Sequence, residues 1–266
     1  MLQMQISQKL ALISSIILMG FVFLAANVLQ QENYPIIPDS IYPTDIFFVV
    51  VSPIVIVFSA ILVARHGMAG NHSKAWILFL AGSISWYMAD LTYYYNSEYI
   101  TQNNNSYLVD YLYYLSYFLY FGFMLFYVRP RKNKVTKRII MFGCIISASF
   151  IAPSAYFISQ KPITDNMETG INLVYPFLDA MIFVPAFVAL VLFFRGEVNF
   201  LWVTVTLGVI CMAVADTIFL VERCLEVFSP SSFANLFFAW KWILFAFGAY
   251  SHIKIFGATR NGLIKQ

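Results

Sequence analysis

Eight blocks of apolar residues separated by short polar segments run along the chain, at about 8–29, 47–65, 75–95, 107–128, 138–158, 173–194, 199–221 and 233–253. Each approaches the roughly 20 residues that an α-helix needs to cross hydrocarbon. The pattern therefore predicts an all-α integral membrane protein with eight transmembrane helices. The first block could be mistaken for a signal peptide, but its apolar core, Leu10 to Val28, exceeds the usual core of about 7–15 residues, and Lys9 is the only base before it. It reads as a retained span.

The polar segments between the blocks alternate in charge, which tests the helix count independently. Lys9 precedes the first span, and Glu32 and Asp39 follow it with no base. Arg65 and Lys74 flank the next segment, which is followed by the Asn-rich 96–106 with Glu98. The segment 129–138 carries Arg129, Arg131, Lys132, Lys134, Lys137 and Arg138 and no acid. Lys161, Asp165 and Glu168 follow, then Arg195 and Glu197, then Glu222, Arg223 and Glu226, and finally Lys254, Arg260 and Lys265. With both termini and every second loop cytoplasmic, 13 of the 16 Lys and Arg fall inside, Lys161 and Arg223 fall outside, and Lys241 lies within the last span. A missed or false helix would scramble this order.

Composition agrees. Of 266 residues 61% are apolar and 11% charged, with a mean hydropathy of +0.74, against about 45–50% and about 25% in soluble domains. A water-soluble globule and a disordered chain are both excluded. Eight spans consume roughly 160 residues, which leaves no room for a soluble enzyme or a DNA-binding domain. The expected setting is a lipid bilayer of the cell membrane, with no nucleic-acid partner. Cys144, Cys211 and Cys224 are too scattered for a disulfide framework or a metal site.

Self-comparison reveals one spaced pattern twice. Trp76, Gly82, Ala89 and Asp90 recur as Trp202, Gly208, Ala215 and Asp216 at an offset of 126 residues, and that offset continues to Phe121-Gly122 and Phe247-Gly248. Upstream, Tyr42-Pro43, Asp45, Pro53 and Arg65 match Tyr175-Pro176, Asp179, Pro185 and Arg195 in order, with a shifted register. Four helices separate equivalent positions, so both halves enter the membrane in the same direction as a parallel repeat. The expected organisation is a first four-helix half, 1–128, a basic cytoplasmic connector, 129–137, a second four-helix half, 138–256, and a short cytoplasmic tail, 257–266. The connector reads as a topology anchor, with binding of anionic lipid as the alternative.

Few ionisable residues fall within the spans: Asp90, Asp179, Asp216 and Lys241, with Asp45 and Asp110 near helix entrances. A charge at a helix centre costs about 2.5–3.5 kcal/mol on insertion scales, so these side chains should face the bundle interior, a cavity or one another. The topology puts all six in the outer half of the bundle. They form either the wall of a polar pocket opening outward or buried ties between helices, for instance Asp216 with Lys241 or Asp with hydroxyls. Tyr107, Tyr111, Tyr114 and Tyr117 recur at helical spacing. An interfacial belt accounts for the first of them, whereas Tyr114, Tyr117 and Tyr120 lie deeper, and Tyr114 and Tyr117 are candidate ligand walls. Trp240 and Trp242 project from opposite sides of Lys241's helix, so both cannot line one pocket.

His66, His72 and His252 have no His or Cys neighbour at metal-ligand spacing. The sequence also has no H-E-x-x-H, P-loop or G-x-S-x-G pattern. No cofactor is specified.

Tyr175-Pro176, Asp179, Pro185, Arg195-Gly196 and Gly208 through Asp216 resemble the multi-pass membrane input regions that precede diguanylate-cyclase and histidine-kinase domains in microbial signalling proteins. The resemblance covers 41–128 and 174–256 and implies a sensing role. The sequence reaches Gln266 without an output domain, so the expectation is a membrane sensor or ligand-binding module acting through a separate signalling or membrane subunit. A second resemblance, through Asp90 and Asp216, is to the eight-span lysoplasmalogenases. It implies that the two carboxylates activate water against a lipid vinyl ether, but the Gly-Asp and Phe-x-x-Gly-Leu context of that family is missing around Asp90. A small-solute or proton-coupled transporter is the third reading.

Overall fold

A computed structural model describes the backbone of residues 2–31, 43–66, 70–99, 107–160, 166–193, 199–225, 227 and 232–260. Among these residues there are eight α-helices: α1 (Leu2–Gln31), α2 (Pro43–His66), α3 (Asn71–Tyr99), α4 (Tyr107–Val128), α5 (Lys137–Gln160), α6 (Asn166–Phe193), α7 (Asn199–Cys224) and α8 (Phe233–Arg260). A 3-10 turn, Arg129–Lys134, follows α4 directly, with Pro130 in its first turn. Each expected apolar block therefore lies in a helix. The boundaries shift most at the end of α8, which runs on to Arg260, and at the start of α6, which begins at Asn166 and carries both Pro176 and Pro185 inside it. Proline within a helix is tolerated at membrane depth because neighbouring helices can satisfy the freed backbone groups.

Among the described residues, six stretches are long and apolar enough to cross a membrane: Phe47–Arg65, Tyr107–Lys134, Lys137–Gln160, Leu173–Phe193, Val203–Cys224 and Phe233–Lys254. The described part of α1 adds a shorter apolar stretch, Lys9–Phe23. Helix α3 falls outside the set, since Ser83, Ser85, Asp90 and Thr92 interrupt its apolar run. The outward faces are those of a membrane protein: Leu18, Phe21, Val50, Phe142, Ile145 and Phe177 are all exposed, an inversion that a water-soluble surface does not tolerate over so wide an area.

Helix adjacency follows a closed ring. Helix α2 packs on α3, α3 on α4, α4 on α6, α6 on α7, α7 on α8, and α8 back on α2. Helix α1 lies outside against α8, and α5 lies outside against α6 and α7. The main core is the ring's interior and draws on all six ring helices, through Val55, Trp76, Phe79, Tyr117, Tyr120, Ile182, Val209, Trp242 and Phe245 among others. A second cluster joins Leu12, Met19 and Phe23 of α1 to Leu236, Ile243 and Leu244 of α8.

Small residues set the closeness of the two tightest ring pairs. A Cβ on Gly208 of α7 would lie 2.5 Å from the Phe245 ring and 3.3 Å from the Lys241 carbonyl of α8. On α3, a Cβ on Gly82 would lie 3.0 Å from the Tyr120 ring and 3.4 Å from Leu119 of α4. Without an apolar driving force between helices in lipid, such close packing and interhelical hydrogen bonds hold the bundle together. Examples are Ser85 Oγ donating to the Leu112 carbonyl at 2.7 Å and Ser147 Oγ donating to the Ala180 carbonyl at 2.9 Å. At the ends of α3 and α8 away from Asp90, the His72 and His252 rings stack at 5.9 Å beside Trp76.

Candidate functional site

Five of the expected site residues, Asp90, Tyr117, Asp179, Asp216 and Lys241, meet inside the ring, toward the end at which α3 and α7 finish and α4 and α8 begin. Helix α4 supplies the hub. Tyr117 is fully buried, and its hydroxyl donates to Asp179 Oδ1 of α6 at 2.6 Å while also lying within hydrogen-bonding reach of Asp216 Oδ2 of α7. Asp179 and Asp216 are both buried. One phenol thus ties together two carboxyl groups from two other helices.

Lys241 of α8 is fully buried, and its Nζ makes no hydrogen bond. Aromatic faces surround it instead: the ring centroid of Trp86 lies 3.5 Å from Nζ, that of Trp242 4.3 Å and that of Phe238 5.3 Å. Such a cage attracts an ammonium through the ring quadrupoles, most strongly where water is excluded. Asp90 of α3 and Asp216 are the carboxylates close enough to act on it electrostatically. Asp90 is half-buried and accepts a hydrogen bond from Tyr113 of α4 at 2.7 Å. Between the two sequence alternatives for buried ties, the hydroxyl bonds are present and a direct Asp216–Lys241 hydrogen bond is not.

Asp110 and Tyr114 form a second, half-buried group at the start of α4. Asp110 Oδ1 accepts from the Tyr175 hydroxyl of α6 at 2.7 Å, and the Tyr175 ring packs at 5.2 Å from Tyr114 and 6.5 Å from Tyr117. The group therefore borders the Tyr117 cluster. Helix α2 includes Asp45, but its side chain lies outside the described residues, as do Arg195-Gly196 and the 32–42 and 100–106 segments. Trp242 faces Lys241, whereas Trp240 points away and its Nε1 donates to the Ile16 carbonyl of α1 at 3.4 Å.

Three residues of the site were not among its expected members: Tyr113 and Trp86, and Tyr175, which the sequence marks only through the repeated Tyr-Pro pattern. The signal for Tyr113 is present as a stripe, Tyr113, Tyr117, Tyr120 and Met124, which faces the ring, whereas Tyr111, one position off it, is 57% exposed. Trp86 precedes Asp90 by one helical turn and packs on Tyr113 at 5.0 Å and Tyr117 at 5.8 Å. Only the folded ring brings it to Lys241.

Chemically, the cluster combines three carboxyl groups, one amine and hydrogen-bonding phenols in a largely water-excluded core. This composition suits the binding of charge or protons. No group of three potential metal ligands occurs among the described residues. Comparison of the chain with known proteins finds no matching family model, no matching curated protein and no matching solved structure.

Proposed function

We propose that this protein is a membrane sensor or ligand-binding module of eight transmembrane helices, with both termini cytoplasmic and its site in the outer half of the bundle. The observation that carries the reading is the convergence of Asp90, Tyr117, Asp179, Asp216 and Lys241 from five helices on one buried point. Ionisable side chains at membrane depth are costly, and where they collect they mark functional sites. A site that takes one side chain from nearly every ring helix is placed to report occupancy to the whole bundle.

The ring order supports two parallel repeats. Exchanging α2, α3 and α4 for α6, α7 and α8 maps every ring contact onto another ring contact. Gly82 against α4 and Gly208 against α8 make the same close approach in the two halves. The likeness to sensor input regions gives the module its class, and its output passes to a separate signalling or membrane subunit.

Asp90→Asn and Asp216→Asn test the proposal. Each should fold and reach the membrane while abolishing any signalling phenotype or partner response. Unchanged behaviour in both variants removes the site from the function. Product release from lyso-lipids in detergent that disappears with either variant would establish the hydrolase reading instead, and pH-driven solute flux in proteoliposomes the transporter reading.

A further inference from the structure

A tyrosine hydroxyl has one hydrogen to donate, yet Tyr117 Oη contacts two carboxyl groups, Asp179 Oδ1 at 2.6 Å and Asp216 Oδ2. One contact uses that hydrogen. The other is attractive only when its carboxyl group holds a hydrogen of its own and donates it to the phenol oxygen. Otherwise two oxygen lone pairs face each other in a core where unpaired polar atoms are expensive. We infer that Asp179, Tyr117 and Asp216 form a proton-binding site, in which the two carboxyl groups hold one proton between them, and that this proton is the ligand of the acidic cluster. The inference rests on the sensor reading and names its ligand.

Packing supports a ligand this small. Tyr117, Tyr120, Phe245 and Lys241 are fully buried around the bridge. Gly208, two turns before Asp216 on α7, leaves no space for even a methyl group against Phe245. A proton needs no cavity of its own there. A groove of about 540 Å³ between α1, α2 and α8, lined by Leu18, Val50 and Phe247, lies on the face of α8 opposite Lys241.

The surrounding charges determine what losing the proton does. Facing the bridge are Asp90 from α3, Tyr113 from α4, Tyr175 with its partner Asp110 from α6 and α4, and Lys241 from α8. Helix α2 contributes only the hydroxyls Ser52 and Ser59 among its described buried polar groups. With the proton in place, one ammonium faces two negative charges, on Asp90 and on the carboxyl pair. Its release, as a proton to water, leaves three carboxylates around that ammonium and sets Asp179 against Asp216 across one phenol. Helices α6 and α7 are then driven apart at this level, a displacement a partner subunit can read.

Infrared spectroscopy of the full chain in lipid nanodiscs tests the site, with circular dichroism and size exclusion to verify that each variant folds. The expected wild-type spectrum contains a carboxylic C=O band with the intensity of one group per chain, which downshifts in D2O and is lost as pH is raised. The band should be absent from Asp179→Asn and from Asp216→Asn, persist in Asp90→Asn, and move to the frequency of a weakly bonded acid in Tyr117→Phe. A wild-type spectrum without the band overturns the site, as does a band that survives in both Asp179→Asn and Asp216→Asn. The sensor reading can fail separately: a band with these properties in a chain that engages no partner leaves the proton site and removes the sensor, and a partner response without the band does the reverse.

Discussion

Tyr117→Phe removes a single oxygen and leaves the ring that packs against Trp86 and Tyr175 in place. What is lost is the bridge: two contacts, to Asp179 and to Asp216, whose carboxyl groups are 1% and 8% exposed and cannot turn to water for compensation. Hydrogen bonds between membrane helices average about 0.6 kcal/mol and reach about 1.7 kcal/mol. Two of them give an expected loss of about 1–3 kcal/mol. The assay is reversible unfolding in mixed detergent micelles followed by circular dichroism, with two controls on the same helix. Tyr120→Phe loses the single 3.1 Å bond shared with Ser83 Oγ and should cost about 0.6 kcal/mol. Tyr111→Phe, at a 57% exposed position, should change stability by less than about 0.5 kcal/mol. If Tyr117→Phe is as stable as Tyr111→Phe, Tyr117 does not tie α4 to α6 and α7, and the reasoning fails.

Further predictions concern packing, charge and topology. Gly208→Ala puts a Cβ at 2.5 Å from the Phe245 ring and should destabilise by about 1–3 kcal/mol in the same unfolding assay, whereas Gly20→Ala, with nothing within 4 Å, should be neutral. Lys241→Met removes the one ammonium beside Asp90 and Asp216 and should destabilise by about 3–5 kcal/mol, while Lys241→Ala, which also leaves a void among Trp86, Phe238 and Trp242, should be less stable than Lys241→Met by about 2 kcal/mol or more. Single cysteines placed in 66–74 and 129–137 of a cysteine-free chain should react with impermeant thiol reagents only from the cytoplasmic side, and those in 96–106 and 222–232 only from outside. Reversed or mixed labelling at any of these segments overturns the topology.

Most helices were legible in the sequence because a stretch long and apolar enough for hydrocarbon must satisfy its backbone polar groups internally, as a helix does. Boundaries were less so: the apolar block begins at about 173, yet α6 begins at Asn166, because a helix can extend through polar residues beyond its apolar stretch. Asp90, Asp179, Asp216 and Lys241 stood out through the cost of charge in hydrocarbon, a property of each residue alone. Their partners did not stand out. Tyr113 and Trp86 are ordinary in an aromatic-rich chain, and only the folded ring joins Tyr113 to Asp90, Tyr175 to Asp110 and Trp86 to Lys241. Lys241 sits in a cage of aromatic rings and makes no hydrogen bond to Asp216, the tie that the sequence offered as one alternative.

On the proposed reading, the Asp–Tyr–Lys cluster governs coupling between this membrane module and a signalling subunit. Cross-linking in the native membrane, followed by purification of the full chain and mass spectrometry, tests it directly when wild type and the Asp90→Asn/Asp216→Asn double variant are compared at equal expression. A signalling or membrane subunit should be recovered with wild type, with at least a several-fold change in its recovery with the variant. Equal recovery with both proteins, or no subunit with either, contradicts it.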